Sequence, residues 1–360
     1  MKTAKVIHVT ALLFLLCTSV GAYTLGEVRD GIRAHEMQIN SLRYVQKNTF
    51  YPTDGFPDSL SGWYQDYTVY WDADWNMAWQ GLNRTAAKER DENGLQQWRD
   101  PSFKSFSWNN NRFIEYGVNT RTAFVTDDKP LKPWLQTPFM TSFLGYSCIY
   151  YDQYLTLSEA MDKYGAKIIK DEPTSIDGRE TVVVEVQMLY PSDTPRAGEI
   201  YYKILFWISP ELQFSPLKIE RRSQRSTGNV NRYYDIRYQE VEGVLLPVSG
   251  LYAPYEPDPA AGTLKQRAPT QGYEFSQISV NNGPSSDLID IAFPTGTTVI
   301  DEKVQLRYTI GGDTVVPLNR PFESMQKIVD PETRAVSFID LKANKLYRVN
   351  SIGTVEPVTE

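Results

Sequence analysis

Histidine and cysteine are nearly missing from this chain, two of each among 360 residues. One of each pair, His8 and Cys17, lies in the N-terminal segment, so the body of the protein has only His35 and Cys148. Zinc sites of the usual kind need several His or Cys ligands, and this chain has too few to build one. A Ser-His-Asp triad would have to use His35, which falls on a predicted helix with no Gly-x-Ser-x-Gly elbow near it. A satisfied or exposed helical histidine is the simpler reading. One cysteine beyond residue 22 forbids an intramolecular disulfide, and Cys148, between Ser147 and Ile149, reads as a buried inert thiol, with intermolecular pairing the alternative. A phosphate-cradling glycine loop and a dinucleotide fingerprint are also missing. No cofactor is therefore expected.

Excess positive charge is absent as well. The formal net charge is −7, with 37 basic and 44 acidic side chains, and cleavage of a leader carrying Lys2 and Lys5 would make it more negative. Phosphate backbones attract Lys and Arg, so nucleic-acid partners are demoted. No apolar run reaches the ~20 residues that a spanning helix needs. The longest, Val6 to Cys17, follows Lys2 and Lys5 and precedes Ser19-Val20-Gly21-Ala22, the pattern of a cleavable secretory signal over roughly residues 1–22. A lipid anchor at Cys17 is disfavoured because bulky Leu16 precedes it. The expected location is the periplasm or another exported compartment.

What the chain has in plenty is aromatic: 23 Tyr, 15 Phe and 8 Trp, residues that favour strands and supply large contact areas. Thr24 and Glu27 form a capping box ahead of Leu25, Val28, Ile32 and Ile39, which predicts a helix to about Ile39. A strand, 41–50, follows. In 69–79 apolar and polar residues alternate as in a strand, although Trp71, Trp75 and Trp79 are also spaced as one helical face; the aromatic content favours the strand. Pro130, Pro133 and Pro138 precede an apolar segment, 139–149, expected to be a helix or loop packed into the sheet. Thr156 and Glu159 make a second capping box, and Gly165 ends a short helix over 157–164.

Beyond Lys167 the alternation is continuous. Asp177-Gly178 marks a hairpin turn, 182–188 alternates, 201–208 is an apolar strand, and 217–220, 234–238, 244–251 and 273–280 continue an antiparallel meander. The proline-rich stretch 253–270 reads as a loop. Two hairpins, 304–316 and 335–349, fill the tail.

Paired carboxylates remain the one catalytic option in this composition. Glycoside cleavage needs two of them, and Asp72 and Asp74 beside Trp71 and Trp75 are the pair to consider. The plainer reading is that Asp72 is a strand or turn residue.

Several stretches resemble the bacterial lipoprotein carrier and receptor superfamily, LolA/LolB-like, and exported LolA-like proteins of no known role in particular. They are the opening helix running into Ser41-Leu42-Arg43-Tyr44-Val45, the strand 204–211 with its Trp207-x-x-Pro210 ending, Pro216-Leu217-Lys218-Ile219, Gly243-Val244-Leu245-Leu246-Pro247, and 293–301. The resemblance implies a mainly β (α+β) fold: a large curved antiparallel sheet forming an unclosed β-barrel, with helices plugging the concave face. It implies a signal peptide over 1–22, a half-barrel domain over 23–300 and a strand-rich extension over 301–360. It also implies a non-enzymatic cell-envelope protein that holds a lipid, a lipoprotein acyl chain or another amphipathic ligand in an apolar concavity. Partners would be that hydrophobic or lipid-modified ligand and envelope proteins.

The wall of the concavity would be Val182, Val184 and Val186, with Ile204, Phe206 and Ile208, and with Tyr234, Ile236 and Tyr238. Phe139, Met140 and Phe143 would form the plug, touching strands 182–188 and 201–208. Each of these is also a plausible plain core residue, and Leu205 and Trp207 could line the inner face instead. An envelope interaction module without a small ligand and a carbohydrate-binding protein are the alternatives.

Overall fold

In this computed structural model the described residues are 23–51, 63–74, 76–90, 96–98, 102–109, 112–127, 140–149, 153–170, 174–190, 195–224, 228–283, 288, 291–320, 324–350 and 354–358. The predicted leader, the Pro/Gly loop after residue 51, Trp75 and Phe139 lie outside them.

Strands dominate, and one large mixed sheet, not closed into a barrel, organises the chain. Its hydrogen-bonded order begins Ala166–Ile168, Val182–Leu189, Ile200–Ser209, Ser215–Ser223, Val230–Val241, Val244–Asp258, Thr270–Val280. It continues through Ser41–Tyr51, Trp63–Asp72, Met77–Arg90, Ser102–Asn109, Arg112–Gly117 and Thr122–Thr126. Thr298–Asp301, Leu306–Thr309 and Val315–Pro317 follow, and the short strands Gln96–Trp98 and Thr263–Gln266 pair beside Met77–Arg90 and Val244–Asp258. Every neighbour in this order pairs antiparallel except Thr122–Thr126 with Thr298–Asp301, which are parallel. That pair corrects the purely antiparallel expectation. Parallel neighbours need a long crossover, and here nearly half the chain intervenes.

Local chemistry sets the elements. Helix α1, Leu25–Glu36, starts at a complete Thr24/Glu27 capping box and stops three residues short of Ile39. Helix α2, Met140–Phe143, is a single turn. Helix α3, Leu157–Tyr164, carries the Thr156/Glu159 capping box and ends at Gly165, where φ is +73°. The segment with two competing periodicities is a hairpin: Trp71 pairs with Met77 across the turn at 73–74.

The stretch 253–270 is not a loop. The strand Val244–Asp258 runs through Pro254 and Pro257 and turns into Thr263–Gln266. Proline costs a strand only the hydrogen bond that its nitrogen would have donated. The Pro254 carbonyl still accepts from the Arg267 amide.

Two packed layers cover parts of the sheet. Helices α1 and α3 lie on one face through Val28, Ile32, Leu157 and Met161, which pack with Val184, Val186, Met188, Ile204, Phe206, Ile208 and Ile219. We call this the inner face. At the other end of the sheet, strands Gln326–Val329, Val336–Asp340, Lys345–Val349 and Val355–Pro357 form a separate small sheet. Its Phe338, Tyr347 and Val355 share a core with Ile114, Tyr116, Ala123, Val125, Val299 and Tyr308. Residues after 300 thus pack onto the strands 112–126. No helix among the described residues is long and apolar enough to cross a membrane.

Candidate functional site

The inner face is built in two stretches. Under α1 and α3 it is aliphatic, and the two helices are tied to each other before they touch the sheet. Asp162 receives Arg29 at 3.4 Å and also pairs with Arg33. Glu36 accepts from the Ser158 amide at 3.1 Å and from its hydroxyl. Burial pushes the Glu36 carboxyl up, against the downward pull of those Ser158 bonds.

The second stretch lies under α2. Met140, Phe143, Leu144 and Tyr146 are buried among Leu42, Tyr44, Tyr67, Trp71, Ile236, Leu246, Tyr273 and Phe275. The Phe143 ring meets Tyr233, Tyr273 and Phe275 at centroid distances of 5.4, 5.5 and 5.6 Å. It also packs against Gly250, where a β-carbon would come within 2.4 Å of the ring. Two phenols anchor the turn. The Met140 amide donates to Tyr44 Oη at 3.2 Å, and Tyr238 Oη donates to the Phe143 carbonyl at 3.3 Å and the Pro216 carbonyl at 2.8 Å. Burial drives the pKa of both tyrosines far up, so both stay protonated.

The expected lining residues distribute as follows. Val184, Val186, Ile204, Phe206 and Ile208 share the inner face, and half-buried Val182 packs at its margin. Ile236 and Tyr238 also face inward, in the second stretch. Met140 and Phe143 plug that stretch. Tyr234 does not join them. A bulge between Tyr234 and Arg237, with Asp235 at φ +49°, inserts a residue, so Tyr233 faces inward instead. One extra residue flips every side chain after it.

The expected contact between the plug and the aliphatic strands is largely replaced. α2 covers the strands 41–51, 230–241, 244–258 and 270–280, while α1 and α3 cover 182–189 and 200–209. Gly145, just after α2, reaches across: a β-carbon there would lie 3.2 Å from Phe206 and 3.1 Å from Leu157. Leu205 and Trp207 belong to the outer face with Val183, covered by Ile169 and Ile176. Lys218 sits 4.0 Å over the Trp207 ring.

The other candidates resolve into structural parts. His35 is buried, with its Nε2 2.7 Å from the Leu245 carbonyl and Nδ1 3.5 Å from Ser215 Oγ. Burial lowers its pKa, partly offset by the bond to Leu245. A neutral ring that donates to a main-chain carbonyl lacks the carboxylate that orients a catalytic base. Asp72 spends its carboxylate on its own hairpin, accepting from the Asn76 amide, Asn76 Nδ2 and Tyr70 Oη at 3.0, 3.0 and 3.1 Å. Trp71 is buried in the core, so it is no sugar platform. Among the described residues no cluster of His, Cys, Asp and Glu could hold a metal ion.

Open space lies elsewhere. A cleft of about 830 Å³ separates the last strands of the large sheet from the small sheet, lined by Leu306, Pro317, Met325, Tyr347 and the Arg320–Asp340 ion pair. Sequence reading missed it because its walls come from three hairpins whose mutual packing leaves no local pattern.

No family model and no curated protein matches the chain. Among solved structures, a DUF1329 family protein from Desulfovibrio piger aligns over 73% of this chain and 95% of its own, at 8% identity and a TM-score of 0.39. The lipoprotein LppX of Mycobacterium tuberculosis aligns over 73% and 99%, at 11% identity and a TM-score of 0.24. A porin-like protein from Bacteroides uniformis aligns over 66% and 96%, at 6% identity and a TM-score of 0.24. Likenesses this faint carry no argument about what this chain binds or does.

Proposed function

We propose that the protein is a non-enzymatic binding protein of the cell envelope that holds an amphipathic, acyl-bearing ligand on the inner face of its sheet, beneath the α2 plug. The observation that carries this reading is the nature of the plug. A second sheet or a long helix would fix the aromatic stretch permanently, whereas among the described residues one turn with Leu144 and Tyr146 after it covers the stretch, held by Phe143, Met140 and two phenol bonds.

The magnitudes favour exchange. Vacating the sites of Phe143 and Met140 costs about 5–10 kcal/mol, taking each as a large-to-small core change. Burying a chain of about 15 methylenes returns on the order of 12 kcal/mol at about 0.8 kcal/mol each. An acyl chain can therefore replace those two side chains with a modest net gain, which suits a carrier that must also release its load.

The test is titration of the delipidated protein with a fluorescent fatty acid such as cis-parinaric acid. Saturable, stoichiometric binding is expected. A folded protein that binds none would refute the proposal and shift weight to an interaction module. That second reading draws on the small sheet, where Ile328, Val329, Leu341 and Leu346 are exposed.

A further inference from the structure

The inner face carries one cation that the aliphatic and aromatic filling leaves unanswered. Arg221 lies two residues beyond Ile219 on the same strand face and pairs across the sheet with Ile204 on one side and Asn231 on the other. Its guanidinium rests 4.2 Å over the ring of Tyr202, which packs against the same cluster. Its Nε is sealed from solvent and has no hydrogen-bond partner. Among the described residues no carboxylate pairs with it.

The contrast with its neighbours is sharp in chemistry. Arg222 and Arg232 lie on the outer side and share Glu220 at 2.5 and 2.8 Å. The outer cations are neutralised; the inner one is not. Guanidinium cannot shed its proton in a protein, and a buried Nε–H left without an acceptor is costly. Its positive field reaches the phenols of Tyr233 and Tyr252, opposing the effect of their burial, and Arg267 adds to it at Tyr252.

Building on the binding reading above, we infer that Arg221 is the headgroup site: it receives the oxyanion, carboxylate or phosphate, of an acyl lipid whose chain runs past Tyr233 into the stretch beneath α2. A planar fork of donors fits either oxyanion through two parallel bonds. Tyr202, beneath the guanidinium, holds it in place, and the adjacent aliphatic surface begins where the charge ends. The inner face thus has the polarity gradient of an amphipathic lipid.

The experiment compares cis-parinaric acid with its uncharged methyl ester on the delipidated full-length protein. The acid binds at least about tenfold tighter than the ester to the wild type, in the range for a charge-assisted hydrogen bond. Arg221→Gln abolishes the preference while leaving ester affinity within about twofold, and Arg221→Lys restores part of it. Displacement by oleate or by oleoyl lysophosphatidate, lost in Arg221→Gln, supports the inference and assigns the oxyanion to carboxylate or phosphate. Equal affinity of the wild type for acid and ester overturns the inference and leaves the binding reading standing. So does a folded Arg221→Gln variant that keeps the preference. Failure of both probes to bind removes the binding reading and this inference together. Should Arg221→Gln not fold, the wild-type comparison alone decides.

Discussion

Truncating Phe143 isolates the plug. Its ring is fully buried, touches three other aromatic rings and presses on Gly250. Phe143→Ala removes a phenyl ring from a site whose walls are β-strands hydrogen-bonded to one another, so they cannot collapse inward. The upper part of the usual range therefore applies, a loss of about 3–5 kcal/mol. Domains of ordinary stability have about 5–15 kcal/mol in total, so the variant should remain folded with a much lower urea midpoint. The assay is equilibrium urea unfolding followed by tryptophan fluorescence and by far-ultraviolet circular dichroism. The proposed function adds a second readout: the vacated volume removes the competitor for an acyl chain, so affinity for cis-parinaric acid rises about tenfold or more while stability falls. A loss below about 1 kcal/mol would refute the packing argument. A full loss of stability with no gain in affinity would refute the exchange of plug for ligand.

Other consequences follow from the same contacts. Gly250→Val drives a side chain into the Phe143 ring and should cost about 1–3 kcal/mol by overpacking; paired with Phe143→Ala, the combined loss should fall well short of the sum, measured by the same urea titrations. His35 titrates lower in the folded protein than the ordinary 6.5, so between those values the unfolded chain binds the extra proton. Stability should therefore be fully present above pH 6.5 and decline as pH falls toward the folded value. Replacing His35 with Asn should flatten that slope in urea midpoints taken from pH 5 to pH 7.5. At Glu220 burial alone would raise the pKa, but bonds and charges from Arg222 and Arg232 outweigh it and hold the carboxyl below its ordinary value. Glu220→Ala should cost about 1–3 kcal/mol, the partners being partly solvated, and a double-mutant cycle with Arg232→Ala should show coupling. A cost under about 0.3 kcal/mol would mean that solvent screens the network entirely.

Much of this architecture is legible locally. The two capping boxes specify α1 and α3 because the reciprocal bonds of Thr24 with Glu27 and of Thr156 with Glu159 span three residues and need nothing distant. The turn at Asp177-Gly178 is legible for a similar reason: both residues adopt positive φ, at +51° and +77°, which this pair tolerates. Misreadings arise where a distant strand decides. Pro254 and Pro257 suggest a loop until their neighbours in the sheet are known. The bulge at Asp235 replaces Tyr234 with Tyr233 on the inner face, and no periodicity announces it. The headgroup candidate Arg221 looks like any charged residue of an alternating strand, because the difference between it and Arg222 is which face holds Glu220.

Composition and short-range pattern therefore determined by themselves that this chain is rich in strands, is poor in histidine and cysteine and opens its described part with a capped helix. Tertiary structure alone decided which face of strands 182–189 and 200–209 is inner. Both faces there are apolar, and only the landing of α1 and α3 on Val184 and Phe206, with Ile169 and Ile176 on Val183 and Leu205, tells them apart. Burial depends on what packs from far along the chain, and a strand's own sequence does not contain its neighbours.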